Sequence, residues 1–392
     1  MISVQEALQL VLNEAKSFPI ETVLLDNALG RVLAENIEAD RNYPPFNRAS
    51  MDGYAFMSKD VTEKGISEFK VIGELFAGYQ FDKEINSGEC IKIMTGSATP
   101  LDLDCIIQVE LASEKDNKVR FNSKVRPWLN IAREGEDCKK GDVILNQGLK
   151  LGATEIGILA VLGKKFVNVK ALPKVAILST GDELVPVGEA VSPFQIRDSN
   201  AYALQAFFQS GGIQVTRREI VSDNPEALKM VLMEVINYDI VVLSGGVSMG
   251  AADYVPATLL SIGIEKVFHK IKLKPGKPLW FGKNPTGGVF FGLPGNPLSC
   301  QVCFKLFIEP YFRKCFGLAP LSSMSYPVLQ NRKKKVQLDE YFPVKLKNGK
   351  LEILQFNGSG DVTSTLGSTG IALHSLELGN LVVGDELGYS PW

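Results

Sequence analysis

The sequence predicts a multidomain protein of α/β and β parts, organised around a central doubly wound parallel sheet. Three observations predict it. Apolar, strand-like runs alternate with helix-like segments through 172–320. Short strand-like runs divided by Gly, Asn and Asp fill 47–139 and 321–392. A chain of 392 residues is too long for one ordinary core and suggests about two to four domains.

The elements follow in order. Ser3-Val4-Gln5-Glu6 is a capping-box pattern, and Ala7, Leu8, Val11, Leu12 and Ala15 then repeat with helical spacing. Residues 26–34 read as a second short helix. Arg41-Asn42-Tyr43-Pro44-Pro45-Phe46 breaks any helix and marks a boundary. Strands are expected at 68–72, 90–94, 105–109 and 118–121. The basic linker Cys138-Lys139-Lys140-Gly141 leads into a mixed segment, expected to pack beside the N-terminal helices.

In the central segment, 175–179 reads as a buried strand, followed by a helix over 200–209 that stops at Gly211-Gly212. A strand at 214–221 precedes Asn224-Pro225, an N-cap and N1 pair for a helix carrying Leu228, Val231, Leu232 and Val235. A strand at 240–243, a helix over 254–260, a strand at Phe290-Phe291 and a final helix over 296–316 complete it. Beyond it, 344–346 and 351–354 flank Asn348-Gly349 as a hairpin, and 381–383 reads as a strand, so a small C-terminal β-barrel is expected. The expected domains are 1–46 with 140–171, then 47–139, 172–320 and 321–392.

Bulk properties exclude several classes. Hydrophobic residues make up 45% and charged residues 22%, a globular mix. A net charge of -2, from 42 basic and 44 acidic residues, gives no nucleic-acid footprint and no polybasic membrane anchor. No apolar run has bilayer-spanning length and the first residues carry no basic leader, so a cytoplasmic protein is expected. Cys300 and Cys303 form a C-x-x-C, but there is no second such pair and the only histidines are His269 and His374. Buried core cysteines are therefore the favoured reading over redox or zinc chemistry; a required metal would be a hard cation held by oxygen.

In open α/β sheets, ligands bind beyond the carboxyl ends of the strands. Three loops stand there: Ser179-Thr180-Gly181-Asp182-Glu183; Ser244-Gly245-Gly246-Val247-Ser248-Met249-Gly250, then Asp253; and Gly292-Leu293-Pro294-Gly295-Asn296-Pro297-Leu298-Ser299. Each supplies backbone N–H groups that suit oxyanions, two supply hydroxyls, and the third opens into a helix. Any one alone is most simply a tight turn; three at successive strand ends point to an anion site. None is a Walker A or dinucleotide fingerprint. Lys274-Pro275-Gly276-Lys277-Pro278 adds two ammonium groups, which bind phosphate as point charges unless they are merely solvated. Glu183, Asp223 and Asp253 recur beside these loops, with Asp52 and Asp137 in earlier motifs. Carboxylates facing phosphates imply a divalent cation such as magnesium, whereas Asp182, Asp198 and Asp223 have capping or turn formation as the plainer alternative.

These motifs, together with Ser50-Met51-Asp52-Gly53-Tyr54-Ala55, Ile93-Met94-Thr95-Gly96 and Arg133-Glu134-Gly135-Glu136-Asp137, occur in an order that resembles the MoeA family, whose animal relative is the E domain of gephyrin. The resemblance covers essentially the whole chain. It implies a homodimer of elongated four-domain subunits with a molybdopterin-binding fold at the centre. It implies magnesium-dependent cleavage of adenylylated molybdopterin, with molybdate as co-substrate and AMP and molybdenum cofactor as products. The cleft is then shared between the central domain of one subunit and the Asp-Gly-Tyr domain of the other. Asp52, Glu183, Asp223, Asp253, Lys274 and Lys277 are the implied catalytic residues, Glu183 and Asp253 being the metal ligands. Thr95, Arg133, Asp137, Ser179, Thr180, Gly181, Gly245, Gly246, Ser248, Gly250, Pro294, Gly295, Asn296 and Pro297 are implied in substrate binding. Gly358-Ser359-Gly360-Asp361 roughly matches the family's C-terminal serine loop, which adds Ser359. The upstream adenylyltransferase and acceptor molybdoenzymes or their chaperones are the implied partners. Two other readings stand beside this one: an adenylyltransferase or pyrophosphatase sharing only the central domain, which would consume ATP, and a scaffold or cofactor carrier, which would release no AMP.

Overall fold

The computed structural model describes residues 1–247, 254–322 and 324–392. The chain divides into two compact units. One comprises Met1–Ala34, Gly148–Gly152 and Phe166–Trp392; the other comprises Glu35–Gln147 and Ala153–Lys165.

The first unit is centred on a six-stranded sheet. Its strands are β1 (Val175–Thr180), β2 (Arg217–Val221), β3 (Ile240–Ser244), β4 (Glu265–His269), β5 (Trp280–Lys283) and β6 (Val289–Leu293), in the order β2-β1-β3-β6-β5-β4. The first four in that order pair in parallel, while β5 and β4 run antiparallel at the edge. The sheet is thus mixed rather than wholly parallel. The reason is local: β4, β5 and β6 follow one another without helices, and only a crossover returns a strand in parallel. Helices α1 (Asn200–Ser210), α2 (Pro225–Glu234) and α3 (Val255–Ser261) connect successive strands, and with α4 (Pro297–Cys303), which follows β6, they form the outer layers.

Strand periodicity explains the double winding. Val175 and Ile177 of β1 join one core with Ala201, Leu204 and Phe208 of α1, whereas Ala176 and Leu178 join the other with Leu228 and Leu232 of α2 and Leu259 of α3. Alternate residues point to opposite faces, so a strand covered on both sides reads as a continuous apolar run. The N-terminal helix Val4–Asn13 buries Val4, Ala7 and Val11 in the first of these cores, and the Ser3 hydroxyl accepts the Glu6 N–H at 3.1 Å.

Several expectations change. The helix expected at 26–34 is only a 3-10 turn, Leu25–Asn27. Beyond it, Gly30 and Leu33 donate their N–H groups to Leu151 and Leu149, so a long-range pairing replaces the helical bonds. The expected helix over 296–316 is interrupted by a π-turn at Phe304–Ile308, before Glu309–Phe316 continues. Pro310 has no N–H to give the preceding turn, which accounts for the shift in register. The strand expected at 381–383 is reduced to a single bridge between Leu381 and Arg332.

The C-terminal strands form their own sheet, in the order Leu273–Lys274, Asp339–Lys347, Gly370–His374, Glu386–Pro391, Met324–Pro327, with Lys350–Ile353 on Asp339–Lys347. Val328 bridges Leu351, and the Leu329 N–H reaches the Leu351 carbonyl at 2.8 Å, bringing the end of the path back to the hairpin. Asn348 and Gly349 close that hairpin with φ of 51° and 72°, as a type I′ turn requires.

The second unit contains a six-stranded sheet in the order Cys105–Gln108, Gly53–Phe56, Glu89–Ile93, Glu68–Leu75, Lys118–Phe121, Ala112–Lys115. Phe56, Phe69 and Phe121 stack on one face, and Ile91, Ile93 and Ile106 lie in the core on the other.

The hairpin gives the first prediction. Gly349→Ala places a side chain at positive φ and costs the C-terminal sheet about 1 kcal/mol. Amide hydrogen exchange in the paired strands should accelerate by roughly fivefold to tenfold; unchanged exchange would mean that the turn does not hold the register.

Candidate functional site

The order β2-β1-β3 creates a switch point. The chain leaves β1 toward β2 on one side and then crosses back to β3 on the other, so the loops after β1 and β3 diverge over a crevice. A cavity of about 640 Å³ lies there. Its lining includes Thr180 at the end of β1 and Glu183 beyond it, Asp223 after β2, Ser244 at the end of β3 with Gly245 and Gly246 beyond it, and Pro294, Gly295, Asn296 and Pro297 after β6. Gly245 has φ +96°, and a Cβ there would lie 2.5 Å from the Thr180 carbonyl oxygen, so only glycine permits this approach. Asn200, at the start of α1, donates to Ser244 Oγ at 2.9 Å and to the Gly295 carbonyl at 2.6 Å, tying the loops after β3 and β6 together.

Several polar groups at this sheet end have structural roles. Asp198 Oδ1 accepts the Ala201 N–H at 3.1 Å and caps α1. Asp182 Oδ1 accepts the Asp223 N–H at 3.0 Å and joins the loops after β1 and β2. By contrast, Thr180 Oγ1 is buried on the cavity wall with no hydrogen-bond partner among the described residues. A buried hydroxyl left unpaired is costly and suits a ligand-facing position. Ser179 Oγ is likewise buried and unpartnered; neither Ser179 nor Gly181 lines the cavity.

A second cavity of about 690 Å³ adjoins the first, with Pro278, Pro294 and Asn296 common to both walls. Asn296 Nδ2 donates to Ser359 Oγ at 2.9 Å, and the Leu298 N–H reaches the Ser359 carbonyl at 3.2 Å, so this contact stands between the two spaces. The lining is cationic: Lys274, Lys277, Arg332, Lys333 and Lys335, with Glu340 the one acid on the wall. Glu340 Oε2 accepts from Arg332 Nη1 at 2.9 Å, and its Oε1 lies 3.4 Å from Lys274 Nζ. Burial raises the Glu340 pKa, but the Arg332 hydrogen bond and the charges of Arg332 and Lys274 more than reverse this, holding it below the ordinary value. Arg332, Lys333, Lys335 and Glu340 were not singled out from the sequence. The uninterrupted basic run Arg332-Lys333-Lys334-Lys335 was the available signal.

Other expected residues fall elsewhere. Ser248, Gly250 and Asp253 lie outside the described residues. Asp52, Thr95, Arg133 and Asp137 belong to the second unit. There, Asp52 and Thr95 share a cavity of about 400 Å³ with Gln108 and Glu110. Asp52 Oδ1 accepts the Thr95 hydroxyl at 2.6 Å and its N–H at 2.7 Å, and these bonds lower the Asp52 pKa. Arg133 packs over the Trp128 ring at 4.6 Å, and the Asp137 N–H caps the Tyr43 carbonyl at 3.0 Å; neither residue lines that cavity. Among the described residues, no three His, Cys, Asp or Glu side chains gather as a metal site. Cys300 and Cys303 are buried in the core; the Cys300 thiol donates to the Pro294 carbonyl at 2.9 Å, and burial pushes its pKa up to about 12. No helix among the described residues is long and apolar enough to cross a membrane.

The Asp52–Thr95 pair can be checked by titration. Asp52 should stay ionised below the usual carboxylate range, near pH 3.9, and Thr95→Val should return its pKa toward that value. Stabilisation from the pair is then present above the ordinary pKa and lost as pH falls through the lowered one. Carbon-detected NMR of the carboxyl reads both; an unmoved pKa in Thr95→Val would remove Thr95 as the cause.

Residues 2–163 match the model described as MoeA N-terminal region (domain I and II), and 176–314 match a probable molybdopterin binding domain. The chain is 34% identical to a molybdopterin molybdenumtransferase of Synechocystis sp. over 379 residues, covering 94% of each chain. It is 33% identical to that of Haemophilus influenzae, covering 98% of each. The fold is similar to the crystal structure of the molybdopterin biosynthesis MoeA protein from Pyrococcus horikoshii, with a TM-score of 0.85 and 28% identity over all of both chains. From its fold, its matched regions and relatives that align along nearly its full length, this chain belongs to the MoeA family, that of the molybdopterin molybdenumtransferases.

Proposed function

We propose that this protein transfers molybdenum from molybdate to adenylylated molybdopterin, cleaving the adenylate to give molybdenum cofactor and AMP. One observation carries the reading: two cavities of different character share a wall at Pro278, Pro294 and Asn296. The first, at the switch point, offers glycine-loop backbone and the unpaired Thr180 hydroxyl, which suit the phosphoanhydride and its attached groups. The second offers Lys274, Lys277, Arg332 and the Ser359 hydroxyl, which suit a small dianion such as molybdate. The relatives' name fits that pairing of a pterin substrate with a metal oxyanion.

The chemistry is placement and electrostatics. An attacking oxygen, from water or molybdate, bonds to phosphorus while the bridging oxygen leaves with the other phosphate. Fixed cations and backbone dipoles offset the charge that develops. Magnesium is part of the proposal, with Glu183 and Asp253 as its carboxylates. Glu183 and Asp223 line the first cavity, and the described residues do not by themselves complete a cation site. The proposal also takes the protein as a cytoplasmic homodimer in which Asp52, Thr95, Arg133 and Asp137 serve the partner's cleft.

The purified protein should release AMP from adenylylated molybdopterin only when molybdate and magnesium are both present. Release without molybdate would contradict the coupling, and consumption of ATP would favour an adenylyltransferase instead. Lys274→Ala should lower kcat/KM for molybdate by roughly 10- to 100-fold, the loss of one charge-assisted contact. Co-expression of Asp52→Asn and Lys274→Ala subunits should restore about a quarter of wild-type activity through mixed dimers, and no recovery would contradict a shared cleft.

A further inference from the structure

We infer that Glu340 and His374 are positioning residues of the second cavity, jointly fixing the Arg332 guanidinium and the Lys274 ammonium for an oxyanion. The inference rests on the oxyanion reading of that cavity and adds what makes it work.

Strand register sets the arrangement. Lys274 pairs with Glu340 across the parallel ladder, and Glu340 pairs with His374 across the antiparallel one. Lys274, Glu340 and His374 therefore form one row over three neighbouring strands, and Arg332 closes on it from the bridge to Leu381. Arg332 Nη1 lies 2.9 Å from Glu340 Oε2 and 2.7 Å from His374 Nδ1. A guanidinium can only donate, so Nδ1 is the acceptor and the ring proton sits on Nε2, which donates to the Gly379 carbonyl at 2.6 Å. His374 is fully buried, and burial, with the charges of Lys334 and Arg332, holds its pKa below the ordinary imidazole value. Nδ1 thus keeps its lone pair at neutral pH.

The consequence concerns the rest of the guanidinium. Both hydrogens of Nη1 are engaged, and the plane lies over the Phe342 ring at 4.3 Å. Among the described residues Nε and Nη2 have no partner, and Arg332 lines the cavity. An Arg held along one side presents the other as a preset donor pair for an oxyanion. Glu340 sits in an anion cavity, where its charge alone opposes binding. Its buried bridge between two cations explains its presence there.

That opposition makes the test decisive. Molybdate alone is titrated into full-length protein by calorimetry, and KM and kcat for AMP release are measured in parallel. Glu340→Gln removes a negative charge; a purely electrostatic role predicts tighter molybdate binding, whereas positioning predicts weakening by about tenfold. His374→Asn keeps an acceptor near the Nδ1 position and should bind within about twofold of wild type, while His374→Gln, whose amide reaches the Nε2 position, should weaken binding about tenfold. The effect should appear in KM, with kcat at saturating molybdate unchanged. Tighter binding in Glu340→Gln, or equal binding by the Asn and Gln variants, would overturn the inference. Arg332→Ala separates the two levels: normal binding there would overturn the oxyanion reading itself, whereas a loss there with wild-type behaviour in the Glu340 and His374 variants would overturn only the positioning role.

Discussion

The approach of Gly245 to the Thr180 carbonyl is the constraint on which the site depends. It lays the loop after β3 against the end of β1, at the point where the strand order reverses. Any side chain at that position would collide with backbone, which cannot move without disturbing β1. Asn200 then links this loop to the one after β6, so three chain segments distant in sequence share one rim.

Charge is divided between the two cavities. The wall of the first combines backbone, hydroxyls, the carboxylates Glu183, Asp198 and Asp223 and one cation, Arg197; the second gathers five cationic side chains around one buried carboxylate. A buried carboxylate that lost its partners would be strongly destabilising, so Glu340 helps hold the Lys274 strand within the C-terminal sheet as well as ordering the cations. Asn296 and Ser359 stand where the spaces meet, a fitting place for two substrates that must react with each other. The same polar contacts thus hold the fold and define the proposed division between pterin substrate and oxyanion.

Much of this was legible in the sequence, for physical reasons. The central strands announced themselves because strands buried on both faces are apolar without interruption, and the helix after Asn224-Pro225 because its cap is local, with Asn224 Oδ1 accepting the Glu226 and Ala227 N–H groups. Glycine loops at strand ends pointed to the first cavity through a general property of open sheets. What escaped depended on distant partners. The helix expected at 26–34 lost its bonds to residues 149 and 151. Of the antiparallel edge strands, β5 is short and β4 opens on the exposed Glu265 and Lys266, so neither carries the long apolar run of the buried parallel strands. Glu340 and His374 meet only through the register of two paired strands, and Arg332, close to Glu340 in sequence, reaches His374 across 42 residues; no local pattern reports that.

Anomalous diffraction at the molybdenum edge, from crystals soaked in molybdate, tests the central claim most directly. The proposed function predicts a single strong peak in the second cavity, within hydrogen-bonding reach of Lys274, Lys277, Arg332 and Ser359. Molybdate bound only elsewhere, with that cavity empty, would contradict the assignment of the two cavities and the mechanism built on it.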